Sequence, residues 1–183
     1  MGQISLYSNY FELLGIKPAF FPDEQLLRKN YYLNSRKFHP DHGNSEDEKE
    51  TEEKMILSGL NNEAYRVLSD FDLRTEYIVK HFSEVTDLSA VRLPAGFLME
   101  MMELNEQIDE YKNADNQEGL RSLLFIVDNL EKELFDSVQW SVKKFDDAAG
   151  RQNVDESLIF YFLKKKYLLR IRESLTNFAS PTM

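Results

Sequence analysis

The sequence contains no cysteine. That absence removes disulfides, thiolate zinc sites, cysteine nucleophiles and cysteine-ligated iron–sulfur clusters from consideration. Histidine is nearly as scarce, with His39, His42 and His81 the three in the chain. Helical carboxylate di-iron sites use Glu-x-x-His pairs, and no histidine here stands three residues after a glutamate. Glycine-rich phosphate loops are missing. The seven glycines and five prolines are too few for a turn-rich β-sandwich. No apolar run approaches the ~20 residues of a membrane span. Residues Met1 to Phe11 show neither an arginine-rich presequence nor a signal-type apolar segment. Gly2 would suit myristoylation, but Leu6 stands where serine or threonine is wanted. The expectation is a cytoplasmic chain with no catalytic residue, no bound metal and no cofactor.

Positive charge is also short. The 22 basic residues face 32 acidic ones, a net charge of −10. Each side of Pro94 carries 11 basic and 16 acidic residues, so the deficit is shared evenly. Nucleic-acid binders and proteins that dock on anionic membranes normally display a basic field. Neither partner is expected.

What the chain does have is aromatic bulk and helical periodicity. Thirteen phenylalanines, nine tyrosines and one tryptophan in 183 residues can fill a sizeable core. The expected fold class is all-α. Asn9 caps a short helix from Tyr10 to Leu14 that stops at Gly15. Pro22-Asp23 opens a second helix to about Phe38, with Leu26, Leu27, Asn30, Tyr31 and Leu33 near helical spacing. A loop follows at His39-Pro40-Asp41-His42-Gly43-Asn44, because Pro40 disfavours helix at His39 and Gly43-Asn44 is turn chemistry. A third helix starts at Ser45 or the acids after it. Its ladder of Ile56, Leu60, Ala64, Val67 and Leu68 faces a core, and it ends at Asp70. Leu73 to about Phe82 is a fourth helix. Breakers between Ser83 and Pro94 mark a linker. Three longer helices follow: Gly96 to Lys112, Glu118 to Ala149 and Asp155 to Phe178. Their spacing fits an antiparallel three-helix bundle. The organisation is then a four-helix domain over residues 1–82, a linker at 83–93 and a bundle over 94–183. Trp140 and the Phe160-Tyr161-Phe162 aromatics are assigned to bundle packing, and Lys164-Lys165-Lys166 to a solvated face.

Local charge contrast surrounds the loop. From Gln25 to Phe38 there are four basic residues, Arg28, Lys29, Arg36 and Lys37, and no acid. From Glu46 to Glu53 there are six acids and one lysine. Such a basic helix can dock an acidic surface or can simply be a solvated face. His39, Asp41 and His42 crowd too closely around Pro40 for good metal geometry.

Three blocks in order add a resemblance: Tyr10-Phe11-Glu12-Leu13-Leu14-Gly15-Ile16, then Arg36-Lys37-Phe38-His39-Pro40-Asp41, then Asn61-Asn62-Glu63-Ala64-Tyr65-Arg66-Val67-Leu68-Ser69-Asp70. Together they resemble a J-domain. The resemblance implies a co-chaperone that stimulates a DnaK/HscA-type heat-shock ATPase through His39, Pro40 and Asp41. The basic face of Arg28, Lys29, Arg36 and Lys37 would meet that ATPase. J-domains often carry lysine after the aspartate, where this chain has His42.

The stretch Phe97-Leu98-Met99-Glu100-Met101-Met102-Glu103-Leu104-Asn105-Glu106-Gln107-Ile108-Asp109-Glu110 resembles the start of the C-terminal domain of the HscB family of iron–sulfur co-chaperones. Near-helical spacing sets Leu98, Met99 and Met102 beside Glu103, Glu106 and Glu110. That pattern is either a docking patch with an acidic rim or core residues beside solvated acids. The resemblance implies the first, with an IscU-type iron–sulfur scaffold as partner. Tyr167 matches an aromatic that completes the patch. The alternatives are a J-domain co-chaperone for another protein client, a helical metalloenzyme using Glu103, Glu106 and Glu110, and a structural coiled-coil dimer.

Overall fold

The computed structural model describes residues 7–39 and 48–179, and among them the chain is helical with no strand. In order the helices are α1 (Tyr10–Leu13), α2 (Glu24–Lys37), α3 (Glu48–Ser69) and α4 (Phe71–Phe82). A 3-10 turn at Leu88–Ala90 precedes α5 (Ala95–Asn113), α6 (Gln117–Asp136), α7 (Gln139–Ala148) and α8 (Glu156–Ala179). Two compact units result. One is Met1–Glu84 with Lys144–Val154, the other Val85–Lys143 with Asp155–Met183.

In the first unit the helix starts follow the capping residues. Asn9 Oδ1 accepts the Glu12 N–H at 2.9 Å and Asp23 Oδ1 accepts that of Leu26 at 3.0 Å. Asp70 does the same for Asp72 and Leu73. It therefore opens α4 at Phe71 rather than merely closing α3, and α4 starts two residues earlier than its periodicity suggests. Helices α2 and α3 run antiparallel, with Tyr31 stacked on Tyr65 at 4.2 Å and Asn61 Nδ2 donating to the Tyr31 carbonyl and Ser35 Oγ. This register carries Ile56 past the C-terminal end of α2. Ile56 is consequently 41% exposed, whereas Ala64, Val67 and Leu68 are buried as the ladder requires.

The first unit is completed by residues that the sequence places in its other half. Phe145 meets Phe20 and Phe82 edge-on at 5.3 and 5.6 Å. Asp146 accepts the N–H groups of Phe20 and Phe21 at 2.6 and 3.1 Å. From the other side the buried Arg74 donates Nε–H to the Phe20 carbonyl at 2.9 Å and Nη1–H to that of Leu68. The Val154 N–H reaches the Phe82 carbonyl at 2.7 Å. Gly150 sits at φ +76°, and a Cβ there would lie 2.6 Å from the Pro18 ring. Only glycine fits.

The second unit is a three-helix bundle. Met101, Leu104 and Ile108 of α5, Leu120, Leu123 and Val127 of α6, and Leu168, Ile171 and Leu175 of α8 form one buried core. Helix α6 opposes α8: Phe135 meets Tyr161 near one end, and Arg172 pairs with Asp128 and Glu131 near the other. Helix α5 runs parallel to α8, since Phe97 contacts Tyr167 and Lys112 Nζ donates to Ser174 Oγ.

The continuous helix expected from Glu118 to Ala149 is two helices. Ser137 Oγ–H donates to the Leu134 carbonyl at 2.7 Å, and the Val138 N–H bonds back only three residues, to Phe135. A side-chain hydroxyl competing for the ladder is a known way to interrupt a helix. The apolar spacing of Leu130, Leu134, Val138 and Phe145 continues across the break, so periodicity carries no warning of it. Trp140, expected in the packing, is 71% exposed. Tyr161 and Phe162 are buried. The three lysines lie against aromatic faces, Lys164 over Phe97, Lys165 over Tyr161 and Lys166 over Phe162.

Candidate functional site

Helix α2 has two unlike faces. Leu27 and, beyond the helix end, Phe38 are buried, while Asn30 and Asn34 reach across to α1. Their side-chain amides donate to the carbonyls of Leu14 and Leu13, each at 2.8 Å. These bonds engage carbonyls at the C-terminal end of α1, which its own ladder leaves unpaired. They also fix the rotation of α2, so that Arg28, Lys29, Arg36 and Lys37 all stand exposed. Between them Tyr32 and Leu33 are half exposed, with the Arg28 guanidinium 5.9 Å from the Tyr32 ring centre. The result is a cationic strip with an apolar centre, leading to exposed His39. Pro40, Asp41 and His42 lie outside the described residues. The crowded metal candidate at His39, Asp41 and His42 therefore falls largely outside them too.

Helix α5 divides equally sharply. Met101, Leu104 and Ile108 point into the bundle core. On the opposite face, Met99 and Met102 are 61% and 63% exposed. Glu103, Glu106 and Glu110 are exposed on the same outward strip. A reading of all the apolar residues as core accounts for Met101 and Leu104 and fails for the two methionines. Flexible, polarizable methionine side chains left in solvent suit an adaptable protein contact.

Tyr167 is 40% exposed, its ring edge-on to Phe97 at 6.1 Å. Leu98 and Tyr167 line the same groove, together with residues of the 3-10 turn segment and α8. The structure thus unites Leu98 with Tyr167 and places Met99, Met102 and the three glutamates along the adjoining strip. Among the described residues no group of three or more His, Asp or Glu side chains is placed to hold a metal ion.

Sequence reasoning did not bring together the cations of that groove, Arg92, Lys166 and Arg170, reading Lys166 only as part of a solvated face. Arg92 sits in a stretch that reads as linker, and nothing in its neighbours marks it. It also overlooked the paired grip of Arg74 and Asp146 on Phe20. Burial lowers the affinity of the Arg74 guanidinium for its proton. Burial likewise pushes the Asp146 carboxyl up, against the opposing pull of the Phe20 and Phe21 N–H groups. A charged residue inside the run Leu73-Arg74-Thr75-Glu76-Tyr77-Ile78-Val79 is the one available hint of the first.

Comparison with known proteins matches both halves of the chain to families. Residues 9–77 match the DnaJ domain and residues 93–176 the HSCB C-terminal oligomerisation domain. The co-chaperone protein HscB homolog of Neisseria meningitidis is 30% identical over 147 residues, covering 79% of this chain and 89% of the relative. The Vibrio vulnificus HscB homolog is 28% identical over 159 residues, covering 86% and 91%. The crystal structure of human co-chaperone protein HscB superposes with a TM-score of 0.75 at 24% identity, over 100% of this chain and 87% of that one. Chaperone HscB from Vibrio cholerae does so with a TM-score of 0.64 at 23% identity, over 93% and 96%. The last two show the shared all-helical fold. With a J-domain followed by the HscB-type helical domain, and with these relatives covered over most of their length, the chain belongs to the HscB family of co-chaperones.

Proposed function

We propose that this chain brings an IscU-type iron–sulfur scaffold to a DnaK/HscA-type chaperone and stimulates that chaperone's ATPase, in the cytoplasm. The scaffold sits on Leu98, Met99, Met102 and Tyr167, oriented by Glu103, Glu106 and Glu110. The ATPase is met by Arg28, Lys29, Arg36 and Lys37 and by the loop of His39, Pro40 and Asp41. The chain itself performs no covalent chemistry; hydrolysis takes place on the chaperone. Its contribution is proximity, because one molecule holding both partners raises the effective concentration of scaffold at the chaperone. Faster hydrolysis then traps the scaffold in the chaperone's tight-binding state.

The observation that carries this reading is the exposed Met99–Met102 pair on a helix whose other face is fully used by its own core. Apolar side chains supply affinity and the neighbouring acids supply register. The test is steady-state ATP hydrolysis by the chaperone with this chain or its His39→Gln variant, with and without scaffold. Stimulation that is lost in the variant and larger with scaffold is the expected result. Stimulation indifferent to scaffold would remove the iron–sulfur client, and no stimulation would remove the coupling role.

A further inference from the structure

The groove shared by Leu98 and Tyr167 has a composition unlike the rest of this acidic chain. Its volume is about 460 Å³. Arg92, Lys166 and Arg170 line it, together with Leu88, Leu98 and Tyr167. Among the described residues no carboxylate does. All three cations are exposed. Neither arginine has an ion pair or hydrogen bond among the described residues, whereas Arg172, two residues from Arg170, is engaged by both Glu131 and Asp128. In a chain of net charge −10, two arginines with no ion pair among the described residues stand over an apolar floor.

We infer that this groove receives an acidic segment of the same scaffold protein that docks on α5, with an apolar side chain seated among the leucines and its carboxylates facing Arg92 and Arg170. The inference rests on the scaffold reading of the α5 patch and extends it. Three observations favour that occupant. The groove is continuous with the patch, because Leu98 and Tyr167 belong to both. Its room far exceeds the roughly 30 Å³ of a water molecule, so a bare ion would leave most of it unfilled. Its charge is opposite to that of the Glu103, Glu106 and Glu110 strip. A surface with an acidic pole on α5 and a basic pole at the groove accepts a partner in one orientation and opposes the reversed one.

The experiment titrates the full chain with an IscU-type scaffold by calorimetry. It compares the wild type, a Met99→Ala/Met102→Ala variant and an Arg92→Glu/Arg170→Glu variant. Both arginine side chains are solvent-exposed and make no hydrogen bond or ion pair among the described residues, so their replacement leaves the bundle core untouched. The expected result is that both variants bind at least about tenfold more weakly than the wild type. The loss in the arginine variant should shrink at high salt, because its origin is screened charge. Weakened binding by the methionine variant alone, with the arginine variant within about twofold of wild type, would overturn the groove inference and leave the scaffold reading standing. Absence of wild-type binding would overturn both. Unchanged scaffold affinity combined with a lower solution mass in the arginine variant would assign the groove to a second copy and overturn the inference as well.

Discussion

The two units bury their helices by different means. In the bundle, α5, α6 and α8 meet through nine aliphatic or methionine side chains, with the Arg172 pairs at the margin. The first unit also buries apolar residues, Phe11, Leu14, Phe20, Leu68 and Ile78 among them, and adds long-range bonds from side chains to backbone. Asn30 and Asn34 hold the end of α1, Asn61 holds α2, and Arg74 and Asp146 hold the two sides of the Phe20 peptide. Apolar packing is non-directional and tolerates adjustment. Hydrogen bonds to buried carbonyls specify one rotation and one register, and leaving such a group unpaired is costly. The difference matches what each unit has to present. On the reading proposed above, the cationic strip of α2 works best with its helix held at a fixed angle. On the same reading, the exposed Met99 and Met102 would work by adapting to a partner.

Three substitutions bear on that contrast, and the largest effect belongs to the bundle. Leu123, 2% exposed at the middle of its core, should cost about 3 kcal/mol when replaced by alanine, since the transfer and cavity terms add. Amide exchange would show the protection lost in α5, α6 and α8. An equal loss confined to α1 to α4 would contradict the separation of the cores.

Next comes Asn34→Ala, which unpairs the Leu13 carbonyl and should cost about 1.5 kcal/mol. Because the bond also sets the rotation of α2, chaperone ATPase stimulation should fall further than stability accounts for, and Asn34→Asp should not restore it. Loss of stability with stimulation intact at saturating concentration would show that the polar contact is mere adhesive.

The smallest effect is a pH slope. The Asp146 carboxyl is raised by burial, so the native state holds its proton more tightly than the unfolded chain does. Between the unfolded value of roughly 4 and the higher native one, the native state carries more protons, and stability falls as pH rises. Glu63 runs the opposite way. Its hydrogen bond from Arg66 lowers it, a contribution present above the unfolded value and lost on acidification. Asp146→Asn should therefore flatten the loss of stability on going from about pH 4 upward, measured as the denaturant midpoint across that range. Parallel curves for the two proteins would discard the argument.

Much of the fold can be read locally. Asn9 and Asp23 mark helix starts because a cap needs only its own side chain and the next three residues. Leu104, Ile108, Leu120, Leu168 and Leu175 announce a core by spacing alone. Asp70 was legible as a boundary and misread as to which helix it serves. The outward pair Met99 and Met102 could not be separated from inward Met101 by residue type, since only the packing of α6 and α8 against α5 decides which methionine is covered.

What the sequence by itself determined is the all-helical class, the places where most helices begin, the block of motifs around His39-Pro40-Asp41 and the unlike charge of the two candidate docking faces. These depend on interactions within a few residues, which a linear pattern records. The tertiary structure alone decided the rest. The assignment of Lys144–Val154 to the first unit, the grip of Arg74 and Asp146 on Phe20, and the meeting of Arg92 with Lys166 and Arg170 all join residues more than fifty positions apart. Each follows from the order in which helices pack. That order is set by summed burial over whole faces, a quantity no short stretch of sequence contains.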